Sequence, residues 1–400
     1  MNDTVMQYRS NPKNGDKISQ LGLGCMRFPR KGGRVDQEKT NELVAAAIGK
    51  GINYFDTAYI YPGSEDALGN ALETIGKRDD IFIATKLPHF MCRKPEDFDK
   101  IFNAQLARLR TDRVDYYFMH MLCNVESWER LRSLGIEEWL ESRRKEGKVR
   151  NIGFSFHGGR AAFLDLLELY DWDFCMVQYN YFDENNQAGK RGVRAASEKG
   201  LPVFVMEPLR GGLLVNALPT EAKRAFSNVN KERSPAGWGL QWLLDQYEIT
   251  MVLSGMSNVE QLAENARIAG GAAPGMLSKE ELSAYKDAVA ALHGTIKVPC
   301  TGCGYCMPCA HGVDIPACFS CYNGSYAFGL FSGMSQYVQM TGLTTHAQSD
   351  ASKCIACGKC EEHCPQGIQI SKEMVNVKRR MKTFFVRPVM SIARKLIKVR

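Results

Sequence analysis

Four side chains able to do acid–base chemistry stand at the exits of apolar, β-prone stretches. Gly51-Ile52-Asn53-Tyr54-Phe55 ends on Asp56, and Tyr61 follows five residues later in a loop closed by Pro62-Gly63. Ile81-Phe82-Ile83-Ala84-Thr85 ends on Lys86, and Tyr116-Tyr117-Phe118-Met119 ends on His120. A free phenol, with a pKa of ~10, donates a proton poorly near neutrality. An ammonium against its hydroxyl favours the phenolate and lowers that value, and a carboxylate such as Asp56 would hold the ammonium in place. With His120 hydrogen-bonded to a carbonyl oxygen, the set would polarise C=O and protonate the oxygen as hydride reaches the carbon. Singly, such an Asp is more often a helix cap, such a Lys a solvated cation and such a His a structural residue. Four of them on three successive strand ends make a catalytic mouth the better reading.

The elements that must position them alternate. Strands are predicted near Leu21–Met26, Tyr54–Ala58, Ile81–Leu87, Val114–Met121, Arg150–Phe156, Phe174–Asn180, Pro202–Leu209 and Thr250–Met256. Helical spacing occupies 36–50, 64–76, 95–109, 127–147, 159–169, 187–199, 234–247 and 258–269. Eight βα units predict a (β/α)8 TIM barrel, an α/β fold whose sites lie at the C-terminal ends of the strands. An open doubly wound sheet is the alternative, disfavoured because no G-x-G-x-x-G follows the first strand.

Asp56, Tyr61, Lys86 and His120 together resemble the aldo/keto reductase superfamily, with the F-D-T-A-like strand end and the Tyr five residues on. The resemblance covers about residues 15–270 and implies reduction of an aldehyde or ketone by NADPH or NADH, or the reverse oxidation. In that reading Tyr61 is the proton donor, Lys86 tunes it, Asp56 holds Lys86 and His120 orients the carbonyl. Cofactor contacts are implied from Met26, Ser155, Gln178 and Met206, and from the pyrophosphate loop Pro208-Leu209-Arg210-Gly211-Gly212. The adenosine-phosphate end falls to Ser254, Gly255, Met256, Gln261, Glu264 and Asn265. Phe156 stands where the family often has Asn, and Met206 where a ring usually stacks on nicotinamide. Gly255 and Gln261 occupy places that often carry 2′-phosphate-binding cations, so the choice between NADP(H) and NAD(H) stays open.

Of 14 cysteines, ten lie between Cys300 and Cys364. Cys354-x2-Cys357-x2-Cys360-x3-Cys364-Pro365 is the bacterial ferredoxin run, in which three thiolates wrap one cluster and the fourth ligates the other. An earlier run, Cys300-x2-Cys303-x2-Cys306-x2-Cys309, is one residue short at its last gap. Crossed ligation would give two [4Fe-4S] clusters: Cys300, Cys303, Cys306 and Cys364 for one, Cys354, Cys357, Cys360 and Cys309 for the other. Zinc, the alternative, usually takes pairs of thiols with a longer spacer between them. Cys318 and Cys321 fit neither set and read as buried thiols, and Ser325 to Gln339 could form a helix. This region resembles the ferredoxin-like domain that one branch of the aldo/keto reductases carries. The domains expected are a barrel over 1–290, the iron–sulfur domain over 291–371, and a basic tail over 372–400.

The tail carries ten Lys or Arg against Glu373, whereas the whole chain has a net charge of only +7, so the remainder is slightly acidic. The basic pI of 8.6 therefore describes the tail, and nothing points to nucleic acid. Val389, Ile392, Ala393, Leu396 and Ile397 share one helical face, which suits peripheral contact with an anionic membrane or an acidic redox partner; a solvated terminal helix is the competing reading. No apolar run approaches the ~18–20 residues of a membrane span, and the first residues lack a signal segment, so the cytoplasm is the expected location. A cluster passes one electron and nicotinamide a hydride, with no flavin motif to convert them. The clusters are thus read as electron-transfer or structural groups, and a non-catalytic nicotinamide-binding sensor or electron-transfer adaptor stands as the second function class.

Overall fold

A computed structural model of the chain describes residues 5–294, 297–300, 302, 304, 306–342, 348–364 and 366–382. Eight parallel strands close into a barrel: β1 Leu21–Gly24, β2 Tyr54–Asp56, β3 Phe82–Leu87, β4 Val114–Met119, β5 Val149–Phe156, β6 Phe174–Gln178, β7 Val203–Met206 and β8 Ile249–Ser254. Every neighbouring pair is hydrogen-bonded, with β8 beside β1 and β5 beside β6 completing the ring. The TIM barrel read from the alternating pattern is the fold observed.

Strand alternation decides what enters the barrel. Tyr54, Ala84, Tyr116, Phe118, Phe174, Met176, Phe204 and Met251 fill its interior, while Phe55, Ile83, Tyr117 and Val177 face the helices. Rings dominate the interior: Tyr54 meets Tyr116 at 5.2 Å and Phe204 at 5.1 Å, and Phe174 stacks on Phe204 at 5.4 Å. The N-terminal end is plugged by an antiparallel hairpin, Tyr8–Ser10 with Lys17–Ser19, which the polar composition of that stretch did not suggest. Ile18 enters the barrel interior, and buried Asp16 accepts from Tyr116 Oη at 2.9 Å and pairs with Arg150. With the bottom closed and the middle filled, ligand access is left to the C-terminal mouth.

The helical stretches fall as expected, with one break. The run predicted at 127–147 is two helices, Val125–Ser133 and Ile136–Lys145, parted by Gly135 at φ 79°. Helices the alternation did not include, Thr220–Val229 and Lys279–His293, pack together in a separate cluster with Tyr181, Trp238 and Phe328.

A second core forms around Val298, Phe319, Tyr337, Ile368 and Met374. Its helices are Ile315–Ala327, Leu330–Met340 and Ile370–Arg380. The single helix expected over 325–339 is instead the end of one and the body of another, because Gly329 at φ 92° turns the chain between them. The boundary expected at 371 cuts the last helix, whose Met374 and Val377 are buried in this core, as is Met381 just beyond it. This unit therefore runs to at least Met381. The amphipathic segment 389–397 lies outside the described residues. Among those described, no helix is long and apolar enough to cross a membrane.

Candidate active site

Period-two alternation places Asp56, Lys86 and His120 one layer above Tyr54, Ala84 and Phe118, facing the mouth. All three are buried, and the Lys86 ammonium pairs with Asp56 Oδ1 and donates to the Thr57 carbonyl at 2.8 Å. It also lies 5.1 Å from the Phe118 ring centre. Behind β3, buried Glu65 accepts from Thr85 Oγ1 at 2.6 Å and from Gln105, which also donates to the Lys86 carbonyl at 3.0 Å. The strand end that carries the ammonium is thereby fixed from both faces.

Tyr61 is set by a tight turn. Its N–H donates to the Ala58 carbonyl, Ser64 N–H donates back to it, and Gly63 takes φ 74° to start the next helix. The phenol ring stands 5.2 Å from Lys86 Nζ and edge-on to His120 at 5.9 Å. The four residues meet at one place. Their bonding differs from the expectation in one respect: no hydrogen bond joins the Tyr61 hydroxyl to Lys86, whose ammonium is already engaged by Asp56 and the Thr57 carbonyl. Burial, with the charges of Asp56 and Glu207, pushes the phenol up rather than down. Burial also raises the Asp56 carboxyl against the opposing pull of Lys86. It holds His120 well below the usual histidine range, assisted by Lys86, so the imidazole is neutral at pH 7.

Buried polar atoms at this mouth without a hydrogen-bond partner include Asp56 Oδ2, His120 Nδ1 and Gln178 Oε1, with His157 Nδ1 just past the end of β5. Buried acceptors and donors are rarely left unsatisfied, so these fit a polar ligand. The Gln178 amide nitrogen is anchored on Asp183 at 2.9 Å, which leaves Oε1 to receive an amide N–H. Ser155 Oγ accepts from Met121 N–H at 3.0 Å and keeps its own proton to donate. Met206 is half-buried at the end of β7 beside Gln178. These positions suit a nicotinamide carboxamide.

The remaining cofactor positions divide. In loop 208–212, Pro208 and Leu209 lie near Gly239, where a Cβ would strike Leu209 at 2.3 Å, and Gly211 and Gly212 take φ 68° and 94°. Arg210 does not face this loop's open side: it is buried between Asp183, Phe182 and Phe328. Ser254 Oγ accepts from Asn265 Nδ2 at 3.2 Å, Met256 is buried, and Glu264 is half-buried. Gln261 Oε1 is occupied by Ser257 N–H at 3.0 Å. Met26 is 60 % exposed. The residue after it, Arg27, was not singled out in the sequence, yet its side chain crosses Gly255 and reaches the Gly211 carbonyl at 3.4 Å. It is the exposed cation that spans both loops. The single signal for it was its place three residues past a strand end.

In the second unit, Cys309, Cys354, Cys357 and Cys360 line one hollow with His311, Ile355 and Met374. They are the four thiols of the second crossed set. Among the described residues no three His, Cys, Asp or Glu side chains converge on one ion-sized point. Thiols that ring a hollow suit a cluster, which takes its cysteines on separate irons, more than a single tetrahedral ion. Of the first set, Cys300, Cys306 and Cys364 pack on the second core, and Cys303 lies outside the described residues. Cys318 and Cys321 are buried in that core, Cys321 Sγ lying 3.4 Å from Met340 Sδ. They stand apart from the hollow's lining.

The aldo/keto reductase family model matches residues 20–288. The chain belongs to the aldo/keto reductase family. A model of the 4Fe-4S dicluster domain matches residues 299–368, so this family member carries a C-terminal iron–sulfur domain. An oxidoreductase named YrpG from Bacillus subtilis is 28 % identical over 305 residues, covering 66 % of this chain and 90 % of the relative. L-galactose dehydrogenase of Arabidopsis thaliana is 28 % identical over 291 residues, covering 66 % and 88 %. Among solved structures, the holo form of aldo-keto reductase AKR11C1 from Bacillus halodurans superposes with a TM-score of 0.59 at 24 % identity, covering 71 % of this chain and 96 % of that one. An aldo/keto reductase from Klebsiella pneumoniae in complex with NADP and acetate superposes with a TM-score of 0.56 at 21 % identity, covering 70 % and 94 %. These structures share the barrel.

Proposed function

We propose that this family member is an NAD(P)H-dependent oxidoreductase that reduces an aldehyde or ketone, or oxidises the alcohol. The observation that carries the reading is the buried Asp56–Lys86 pair set beside Tyr61 and His120 at the open mouth. A bound reduced nicotinamide supplies hydride to the carbonyl carbon. His120, kept neutral by burial, donates a hydrogen bond to the carbonyl oxygen without adding a competing charge. Tyr61 then gives its proton to that oxygen as negative charge develops there, and Lys86 stabilises the phenolate left behind. Asp56 keeps Lys86 in place. Gln178 and Ser155 orient the carboxamide, and Arg27 covers the phosphates. The NADP-bound Klebsiella structure and the relative named for NADP(+) in Schizosaccharomyces pombe support this cofactor class, with NADPH and NADH both within the reading.

The iron–sulfur domain would hold one [4Fe-4S] cluster on Cys354, Cys357, Cys360 and Cys309 and another on Cys300, Cys303, Cys306 and Cys364, serving electron transfer or structure. The second reading, a nicotinamide-binding sensor or adaptor without carbonyl turnover, is favoured by the missing Tyr61–Lys86 hydrogen bond and by Phe156 and Met206. Oxidation of NADPH and NADH with a panel of aldehydes and ketones, wild type against Tyr61→Phe, separates the two. Turnover that the variant loses supports the reductase; nucleotide binding with no turnover of any carbonyl supports the adaptor.

A further inference from the structure

Asp183 is a buried carboxylate at which the barrel mouth and the iron–sulfur domain meet. Its Oδ2 accepts from Gln178 Nε2 at 2.9 Å and Asn180 Nδ2 at 3.1 Å, and faces Arg210 Nε at 3.0 Å. Its Oδ1 accepts from Asn186 Nδ2 at 2.8 Å. Two of these partners continue into the second domain: Arg210 Nη2 donates to Gln336 Oε1 at 2.9 Å, and Asn186 Nδ2 to Ser320 Oγ at 3.0 Å. The guanidinium lies 4.6 Å from the Phe328 ring centre and packs on Gly324, where a Cβ would come within 3.1 Å of Nη2.

We propose that Asp183 and Arg210 couple nucleotide binding in the barrel to the seating of the iron–sulfur domain. This rests on the nicotinamide reading above and adds a regulatory link to it. On one side Asp183 fixes Gln178, whose free Oε1 is aimed at the carboxamide. On the other, Arg210 pins the loop whose next residue, Gly211, receives Arg27. That loop holds left-handed backbone at the non-glycine residues Glu207 and Arg210, a conformation its surroundings must enforce. Arg210 and Asp183 are each almost wholly buried, so displacing either strands the other's charge. A shift of the second domain at Gln336 therefore reaches both ends of the nucleotide site. Coupling of this kind is reciprocal, so the nucleotide must also steady the domain.

The test uses full-length, iron-loaded protein under anaerobic conditions, with NADPH and NADH titrated by fluorescence. Gln336→Ala should weaken binding about fivefold and Asp183→Asn at least about tenfold, the ordinary span of allosteric coupling. In wild type, saturating nucleotide should slow amide exchange in helix Leu330–Met340. Variants within twofold of the wild-type Kd, or unchanged exchange in that helix at saturation, overturn the coupling while leaving the nicotinamide reading intact. Failure of wild type to bind either nucleotide overturns both. The exchange measurement needs no variant, so it decides even if Asp183→Asn loses iron.

Discussion

Replacing Lys86 by Met should destabilise the barrel in a pH-dependent way. The ammonium and the Asp56 carboxylate are both 2 % exposed, so removing one leaves the other with neither solvent nor counter-charge. Breaking such a buried pair costs about 3–5 kcal/mol. The pH profile follows from Asp56, whose folded-state pKa burial already raises while Lys86 pulls it down. A carboxyl with a raised folded-state pKa contributes stability below its unfolded value and loses it as pH rises through the folded value. Lys86→Met removes the downward pull, so the penalty should widen from pH 5 to pH 8, by up to about 1.4 kcal/mol per unit until Asp56 ionises. Asp56→Leu combined with Lys86→Met should recover most of the loss, since apolar replacements of buried pairs are commonly neutral or stabilising. Urea unfolding at both pH values, with an unchanged m-value as the control, reads the effect. A flat penalty, or a double variant less stable than Lys86→Met, would refute the claim that the pair is a desolvated charge couple.

Tyr61→Phe should lower kcat at least about 100-fold while leaving the nucleotide Kd within twofold, because the hydroxyl acts only on the reacting oxygen. Arg27→Ala should weaken nucleotide binding roughly tenfold or more, as loss of a charge-assisted contact does, and should flatten its salt dependence. Cys357→Ser should remove about half of the iron and acid-labile sulfide in anaerobically prepared protein. Cys321→Ser should leave both unchanged, because that thiol packs on Met340 in the second core instead of lining the hollow.

The barrel was legible because its strands are short apolar runs in regular alternation with amphipathic helices, and eight such units have one natural closure. The inward placement of Asp56, Lys86 and His120 was legible for the same reason: Tyr54, Ala84 and Phe118, two positions earlier, are the barrel filling. What alternation cannot report is structure that depends on distant partners. The N-terminal plug is polar in composition because Asp16 and Asn11 are satisfied by Tyr116 and Arg150, more than 90 residues away. The turn at Gly329 was missed because apolar residues continue on both sides of it.

Arg210 makes the same point at the site. Pro208-Leu209-Arg210-Gly211-Gly212 reads as a phosphate loop with its own cation. Here Phe182, Phe328 and Asp183 enclose it, and Gln336 from the second domain takes one of its donors. The exposed Arg27 side chain lies across the opening that this leaves between Gly211 and Gly255. A residue's charge can be read from a sequence, but its partners cannot: Asp183 in the barrel claims the charge of Arg210, and Gln336, more than 120 residues downstream, takes a further donor. Transferring Gln336→Ala into Arg27→Ala therefore separates the two cations: if Arg210 acts on the nucleotide only through the loop, the double variant should bind no more weakly than the product of the two single effects. A loss well beyond that product would mean that Arg210, once released, had been compensating for Arg27 directly.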